Sequence, residues 1–460
     1  MNEKGIPEEE LFAELGFFSD ADTNFKKVFS SMCTIPHPVA VAAQQKFVLS
    51  NIGDPGLFRG TCEMETEVIR MTASILNHPN PKSAFGHMTS GGTESNIEAV
   101  LHMKNRFSDS NSGSDFNLNS NLNSNLNSDF NSDSNMNSVS NSRLNLIVPK
   151  TAHFSFEKIA NLLGIELKKA DIDSYFRVIP ESVESLIDEN TIGLIGIAGS
   201  TEFGECDPIE KLSEIAIKHE LPLHVDAAFG GFVYPFLDSD SVLDSVSGSV
   251  SDFDSDFNSV SDSEIKFAFN LPGVTSVSVD PHKMGLSVIP SGILIFKNES
   301  VLGSSLDKIK VKTPYLTSKY QSTLTGTRPG SSVAATYAVM KHLGVEGYRE
   351  NVSYCMDLVN HFEKELNRIG LTPCISPRIN IVTVSVCSAN STGSNSNETA
   401  QTANHEKTEK IRAQLLEKYG WNVSATKTIP ALRFVLMPHI TKEDISNMIS
   451  DLEKLLNAEK

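Results

Sequence analysis

The feature that most constrains the fold is a set of short, apolar, largely β-branched runs separated by helix-length segments. They are Leu144 to Val148, Ile192 to Ala198, Leu221 to Val225, Thr275 to Val279 and Gly292 to Phe296. Runs of this length without strict polar alternation fit strands covered on both faces. Strands that alternate with helices build an α/β fold around a largely parallel sheet. Sheets of this kind take ligands at the carboxyl ends of their strands.

Three tracts interrupt this pattern. Residues 108 to 142 are almost wholly Ser, Asn and Asp and repeat Asn-Leu-Asn-Ser three times, residues 238 to 264 are Ser/Asp-rich, and residues 388 to 405 form a weaker third tract. Such segments cannot bury enough apolar surface to offset chain entropy, so they are expected to be disordered surface loops. Four acidic residues in the first tract and eight in the second, with no Lys or Arg in either, supply twelve of the 18 net negative charges. The remaining core is only mildly acidic. No basic stripe offers itself to a nucleic-acid backbone.

The chemical residues fall just after the runs. Thr89-Ser90-Gly91-Gly92-Thr93-Glu94-Ser95-Asn96 leads into a helix whose apolar face is Ile97, Val100 and Leu101. Glycines and small hydroxyl residues at a helix N-terminus leave N–H groups free for a phosphate, although Gly-Gly before a helix also makes a plain turn. Asp226, in His224-Val225-Asp226-Ala227-Ala228, ends an apolar run. It is either a helix cap or the partner of a protonated ring nitrogen in a flat cofactor packed on Ala228. Lys283, in Asp280-Pro281-His282-Lys283, ends another run. Asp226 and Lys283 are 57 residues apart and 27 of those lie in the second tract, leaving 30, about one β-α-β crossover. The two groups should therefore reach one small ring. His153, past the run ending at Val148, is either a core imidazole or a ring-stacking one, and Ser200 and Thr201 bring hydroxyls to the same edge.

The six cysteines, Cys33, Cys62, Cys206, Cys355, Cys374 and Cys387, show neither a disulfide framework nor metal-ligand spacing. No metal site is expected. No segment reads as a secretory signal or a membrane span, so a soluble, cytoplasmic protein is expected.

With Cys33-Thr34-Ile35-Pro36-His37-Pro38, Asn51-Ile52-Gly53-Asp54-Pro55 and Thr325-Gly326-Thr327-Arg328-Pro329-Gly330, the ordered motifs resemble the fold type I pyridoxal-phosphate enzymes. The likeness is to the group II amino-acid decarboxylases, in particular the archaeal tyrosine/aspartate decarboxylases, with sphingosine-phosphate lyase more distant. It runs from about Ser31 to Pro438, apart from the tracts.

The resemblance implies an α/β large domain with a mostly parallel sheet and a smaller α+β C-terminal domain. An N-terminal segment, residues 1–60, would pack on a dimer partner; residues 61–310 would form the cofactor domain and residues 311–460 the small one. Lys283 would carry pyridoxal 5'-phosphate, Asp226 would hold the pyridinium proton, and His153 would stack on the ring. Gly91, Gly92, Thr93 and His282 would take the phosphate, Thr201 the ring hydroxyl region and Ala228 the opposite ring face. A homodimer with Gly326 and Thr327 lent across the interface also follows from the resemblance. So does a loop tyrosine as proton donor, Tyr315 or Tyr320, with Tyr315 preferred. Arg433 is the candidate for the substrate carboxylate, or an edge-strand surface arginine.

The implied reaction is decarboxylation of an L-amino acid. Tyrosine would give tyramine for methanofuran, and aspartate would give β-alanine for coenzyme A, with glutamate a third option. The rivals are carbon–carbon cleavage of the lyase type, aminotransfer or desulfuration on the same cofactor, and a non-catalytic cofactor-binding protein.

Overall fold

All five apolar runs are strands of one sheet in the computed structural model, which describes residues 3–110, 143–237, 265–318, 320–387 and 398–458. The N-terminal part contributes α1 (Glu8–Ala21), α2 (Pro38–Lys46) and α3 (Arg59–Ile75). Then come β1 (Phe85–Thr89), α4 (Gly92–Ser110), β2 (Asn145–Pro149), α5 (Ser155–Leu163), β3 (Glu166–Ala170), α6 (Pro180–Ser185), β4 (Thr191–Ile197) and α7 (Ile209–Lys218). Next come β5 (Leu223–Asp226), β6 (Val274–Val279), β7 (Gly292–Phe296) and α8 (Ser305–Ile309).

Among the described residues these strands form a seven-stranded sheet in the order β1-β7-β6-β5-β4-β2-β3. From β6 to β3 every neighbouring pair is parallel, and β7 runs antiparallel to both β6 and β1. The mostly parallel sheet expected from the sequence is present. Its two edge strands were not anticipated: β3 pairs only with β2 and is polar, with Glu166 and Lys169 exposed, while β1 carries Gly86 and His87. Edge strands need no continuous apolar run, because one side or face meets solvent or a covering loop.

The rest of the chain is β8 (Val311–Lys312), β9 (Tyr320–Gln321), α9 (Gly330–Arg368), β10 (Ile381–Val384), α10 (Glu398–Tyr419), β11 (Ser424–Ala425), β12 (Leu432–Val435) and α11 (Lys442–Ala458). β10, β12 and β11 form a small antiparallel sheet. Its core, with Phe362, Trp421 and Phe434, also takes in Phe29 from the N-terminal part. Backbone bonds from Phe29 N–H to Asn422 O and from Val435 N–H to Phe29 O fasten that strand-like segment there. α9 bends at Gly344, whose φ of +59° suits glycine. Val333 and Met340 before the bend belong to the large core, whereas Phe362 and Leu366 after it belong to the small one.

α11 matches the helical spacing read from the sequence: Ile445, Met448, Ile449, Leu452 and Leu455 are all buried. Thr441 caps it, accepting from Asp444 N–H at 3.1 Å while Asp444 accepts from Thr441 N–H at 3.0 Å. Residues 111–142, 238–264 and 388–397, where most of the three low-complexity tracts fall, lie outside the described residues. The third tract was drawn too long: residues 398–405 form the first turns of α10, where Ala, Gln and Glu favour a helix. Among the described residues no helix is long and apolar enough to cross a membrane.

Candidate active site

The carboxyl ends of the parallel strands and the loops after them enclose a cavity of about 360 Å³, within the roughly 300–1,000 Å³ usual for small-molecule sites. The β1–α4 turn supplies Ser90 to Thr93, the β2–α5 loop His153, the turn after β4 Thr201, and β5 with its continuation Asp226 and Ala228. The turn after β6 supplies Asp280, His282 and Lys283. β5 and β6 are adjacent and parallel, as the 30-residue core spacing required.

At the β1–α4 turn, Ser90 N–H donates to Glu94 Oε2 at 2.7 Å, which helps shape the start of α4. A Cβ on Gly91 would come within 3.3 Å of His282, and one on Gly92 within 3.1 Å of Asp280 Oδ2. Larger residues would close the space in front of the helix N-terminus. The turn also abuts β7, since a Cβ on Gly292 would lie 2.5 Å from Gly91 Cα.

Asp226 is 7% exposed and takes Asn96 Nδ2–H on Oδ2 at 2.8 Å and Ala228 N–H on Oδ1 at 3.1 Å. Lys283 Nζ lies 3.0 Å from Asp280 Oδ2. Burial works against its ammonium, but Asp280 and then Asp226 outweigh this and hold Lys283 above its ordinary pKa. His282 donates from Nδ1 to Ser291 O, which leaves Nε2 toward the cavity. Burial would lower its pKa, but Cys33 and Asp280 outweigh this and raise it. Burial lowers the pKa of His153 against the pull of Asp226, which keeps that imidazole neutral, with Nδ1 accepting Ser155 N–H at 3.3 Å.

Nine of the residues singled out from the sequence therefore line one cavity: Gly91, Gly92, Thr93, His153, Thr201, Asp226, Ala228, His282 and Lys283. Two do not. Tyr315 is 82% exposed on the turn between β8 and β9, and Tyr320 on the same hairpin is 50% exposed. Arg433 is buried rather than at a surface edge; its Nη1 donates to Thr201 O at 3.0 Å and its Nη2 to Ser30 O. It braces the Thr201 loop through carbonyls, which explains why it does not line the cavity. The Thr325–Gly330 motif lies at the rim of its own chain's cavity, with Thr325 Oγ1 donating to Glu94 Oε1 at 2.8 Å and Arg328 Nη1 to Glu65 Oε1 at 2.6 Å.

Asn96, Asp280 and His224 escaped the sequence reading. Asn96 sits one turn into α4, where an amide looks like an ordinary helix residue, and only the contact with β5 across 130 residues gives it a role. Asp280 preceded the lysine motif in plain sight. Its Oδ1 is buried without a hydrogen-bond partner among the described residues, an acceptor left facing the cavity.

The family model described as the pyridoxal-dependent decarboxylase conserved domain matches residues 60–250 and 260–386. The chain is 45% identical, over 99% of both chains, to a probable L-tyrosine/L-aspartate decarboxylase of Methanosarcina acetivorans. It is 38% identical to a probable L-aspartate decarboxylase of Archaeoglobus fulgidus, over 97% of this chain and 99% of that one. Its fold is similar to glutamate decarboxylase of Lactobacillus brevis, with a TM-score of 0.78 and 19% identity over 99% of this chain and 94% of that one. Sphingosine-1-phosphate lyase of Burkholderia pseudomallei gives 0.73 and 22%, over 100% and 91%.

The residues present fit pyridoxal phosphate. An open glycine turn at a helix N-terminus, with His282 beside it, suits its phosphate, a buried carboxylate held by neutral donors suits its ring nitrogen, and Lys283 suits its aldehyde. The chain belongs to the pyridoxal-dependent decarboxylases and is a pyridoxal-phosphate-dependent amino-acid decarboxylase.

Proposed function

We propose that this enzyme removes the α-carboxylate of L-tyrosine to give tyramine and carbon dioxide, and accepts L-aspartate, giving β-alanine, as a second substrate. The observation that carries the reading is the convergence of Lys283, Asp226 and His153 on one cavity whose apolar lining includes Met32, Ile197 and Phe229. No arginine lines it among the described residues, and aspartate would need a second cation for its side-chain carboxylate. Aspartate is supported by the names of the relatives from Methanosarcina acetivorans and Archaeoglobus fulgidus. Tyramine would feed methanofuran biosynthesis and β-alanine coenzyme A biosynthesis, in the cytoplasm.

When bound, pyridoxal phosphate supplies the electron sink for the pair left on the α-carbon as carbon dioxide departs. Gly91, Gly92, Thr93 and His282 would hold its phosphate, and Lys283 would tether it. Asp226, oriented from behind, would hold the proton of the ring nitrogen. His153, held neutral by burial, and Ala228 would bound the ring, while Thr201, braced by Arg433, would meet its hydroxyl edge. Asp280 balances the charge of the Lys283 ammonium whenever that amine is free.

We infer a homodimer. α1 buries none of its residues, and Phe12, Phe17 and Phe18 are 62%, 73% and 58% exposed; Val48, Leu49 and Leu57 add further bare apolar surface. Exposed apolar area on this scale marks an interaction face. Tyr315, exposed and absent from the lining of its own chain's cavity, would then be available to donate a proton to the α-carbon in the partner subunit's cavity.

The reading is tested by adding pyridoxal phosphate to the purified protein and recording absorbance, then carbon dioxide release from tyrosine and from aspartate. A band lost in Lys283→Ala, with carbon dioxide from tyrosine, supports it. Release from aspartate alone would overturn the substrate preference, and a band without release from either would favour the lyase-type rival.

A further inference from the structure

Four polar side chains from two adjacent strands share the sheet face beneath the cavity. Side chains alternate along a strand, so His224 and Asp226 of β5 face the same way, as do their register partners Ser276 and Ser278 of β6. α4 crosses this face and brings Asn96 between them. We infer that Asn96 is a positioning residue, which aims the Asp226 carboxylate at the cofactor's ring nitrogen without neutralising its charge. The inference rests on the reading of Asp226 given above.

The hydrogen-bond pattern leaves a single assignment. Asn96 Nδ2 donates to Asp226 Oδ2 at 2.8 Å, while Asn96 Oδ1 lies 2.9 Å from Ser278 Oγ and 3.0 Å from His224 Nε2. A flipped amide would turn its oxygen against a carboxylate and its NH₂ against two groups that can then only accept or be left unpaired. With the amide set, both lone pairs of Oδ1 are filled, by Ser278 Oγ–H and by His224 Nε2–H. His224 must then carry its proton on Nε2, and Nδ1 accepts Ser276 Oγ–H at 2.9 Å. Burial pushes the His224 pKa down to about 4, so this neutral tautomer persists at ordinary pH. Donation runs one way, from Ser276 through His224 and Asn96 to Asp226.

The consequence is electrostatic. Asn96, His224, Ser276 and Ser278 are all 2% exposed or less, so Asp226 is held from behind by an array shielded from bulk solvent. Every donor in that array is uncharged. An arginine or lysine in the place of Asn96 would form an ion pair and consume the negative charge that the ring nitrogen needs. Lys283, the cation of the cavity, has Asp280 at 3.0 Å as its counter-ion. Asp226 is therefore presented to the cofactor by uncharged donors, in a fixed orientation.

A double-mutant cycle tests this, read on the dissociation constant for pyridoxal phosphate by absorbance titration of the full-length protein stripped of cofactor. Asn96→Leu is expected to weaken cofactor binding about tenfold in the native background and less than about twofold alongside Asp226→Ala. In the loaded enzyme it should lower kcat while KM changes by less than about twofold. Ser278→Ala, which removes one of the two donors that orient the amide, should show the same pattern at smaller size and serves if Asn96→Leu does not fold. Equal losses in both backgrounds, or a folded Ser278→Ala with unchanged affinity and kcat, overturn the inference. If Asp226→Ala alone leaves cofactor binding and turnover intact, the reading of Asp226 fails first; if it is impaired and Asn96→Leu is not, only the role of Asn96 fails.

Discussion

Lys283 Nζ stands 3.0 Å from Asp280 Oδ2, so the amine that must become a nucleophile is held as an ammonium by a carboxylate three residues before it. Burial alone would lower the Lys283 pKa, and Asp280 is the largest influence raising it. Asp280→Asn should therefore lower that pKa. The pH midpoint for the rate at which the absorbance band forms on adding cofactor should move down accordingly. A midpoint that stays or rises would show that Asp280 does not govern this amine.

Asp226→Asn keeps the shape of the side chain and removes its charge. Cofactor should still bind, while kcat falls on the order of a hundredfold or more, as when a preorganised electrostatic group is lost from a buried site. Steady-state kinetics beside a cofactor titration separate the two effects, and a variant with near-native kcat would remove Asp226 from the mechanism.

The dimer and the place of Tyr315 can be tested together. Lys283→Ala and Tyr315→Phe proteins should each be nearly inactive. After unfolding together and refolding, mixed dimers should contain one intact site, and random pairing returns about a quarter of native activity. If Tyr315 served its own chain's cavity, mixing would restore nothing. Sedimentation of a variant lacking residues 3–21 reports whether the exposed face of α1 holds the pair together.

Glu98, behind the sheet, sits between His87 Nε2 at 3.1 Å and His102 Nε2 at 3.8 Å, with 2% of its side chain exposed. Burial opposes its charge, but the two imidazoles prevail and hold its pKa down from 4.5 to about 2. A depressed folded-state value means that its contribution, up to about 3 kcal/mol, is present above pH 4.5 and is lost as pH falls toward 2. Glu98→Gln should lower the Tm at neutral pH and flatten the acid limb of a Tm-against-pH curve. An unchanged acid limb would show that this carboxylate is not what the acid titrates.

By itself the sequence determined the parts that local chemistry dictates. β2 and β4 to β7 were legible because strands covered on both faces must be apolar; the aspartate and lysine were legible because each follows such a strand, and the glycine turn because it opens an apolar-faced helix. Setting aside residues 238–264 made Asp226 and Lys283 neighbours, as the parallel pairing of β5 with β6 shows. Tertiary structure decided what depends on distant chain segments. Asn96 meets Asp226 across 130 residues, and Arg433 is drawn 232 residues to the Thr201 carbonyl. Edge strands β1 and β3 also waited on the structure, since partial solvent exposure leaves them no apolar signature. A residue's type tells what it can donate or accept, but which partner it meets is decided only when the sheet, the helix over it and the small domain close around the same few ångströms.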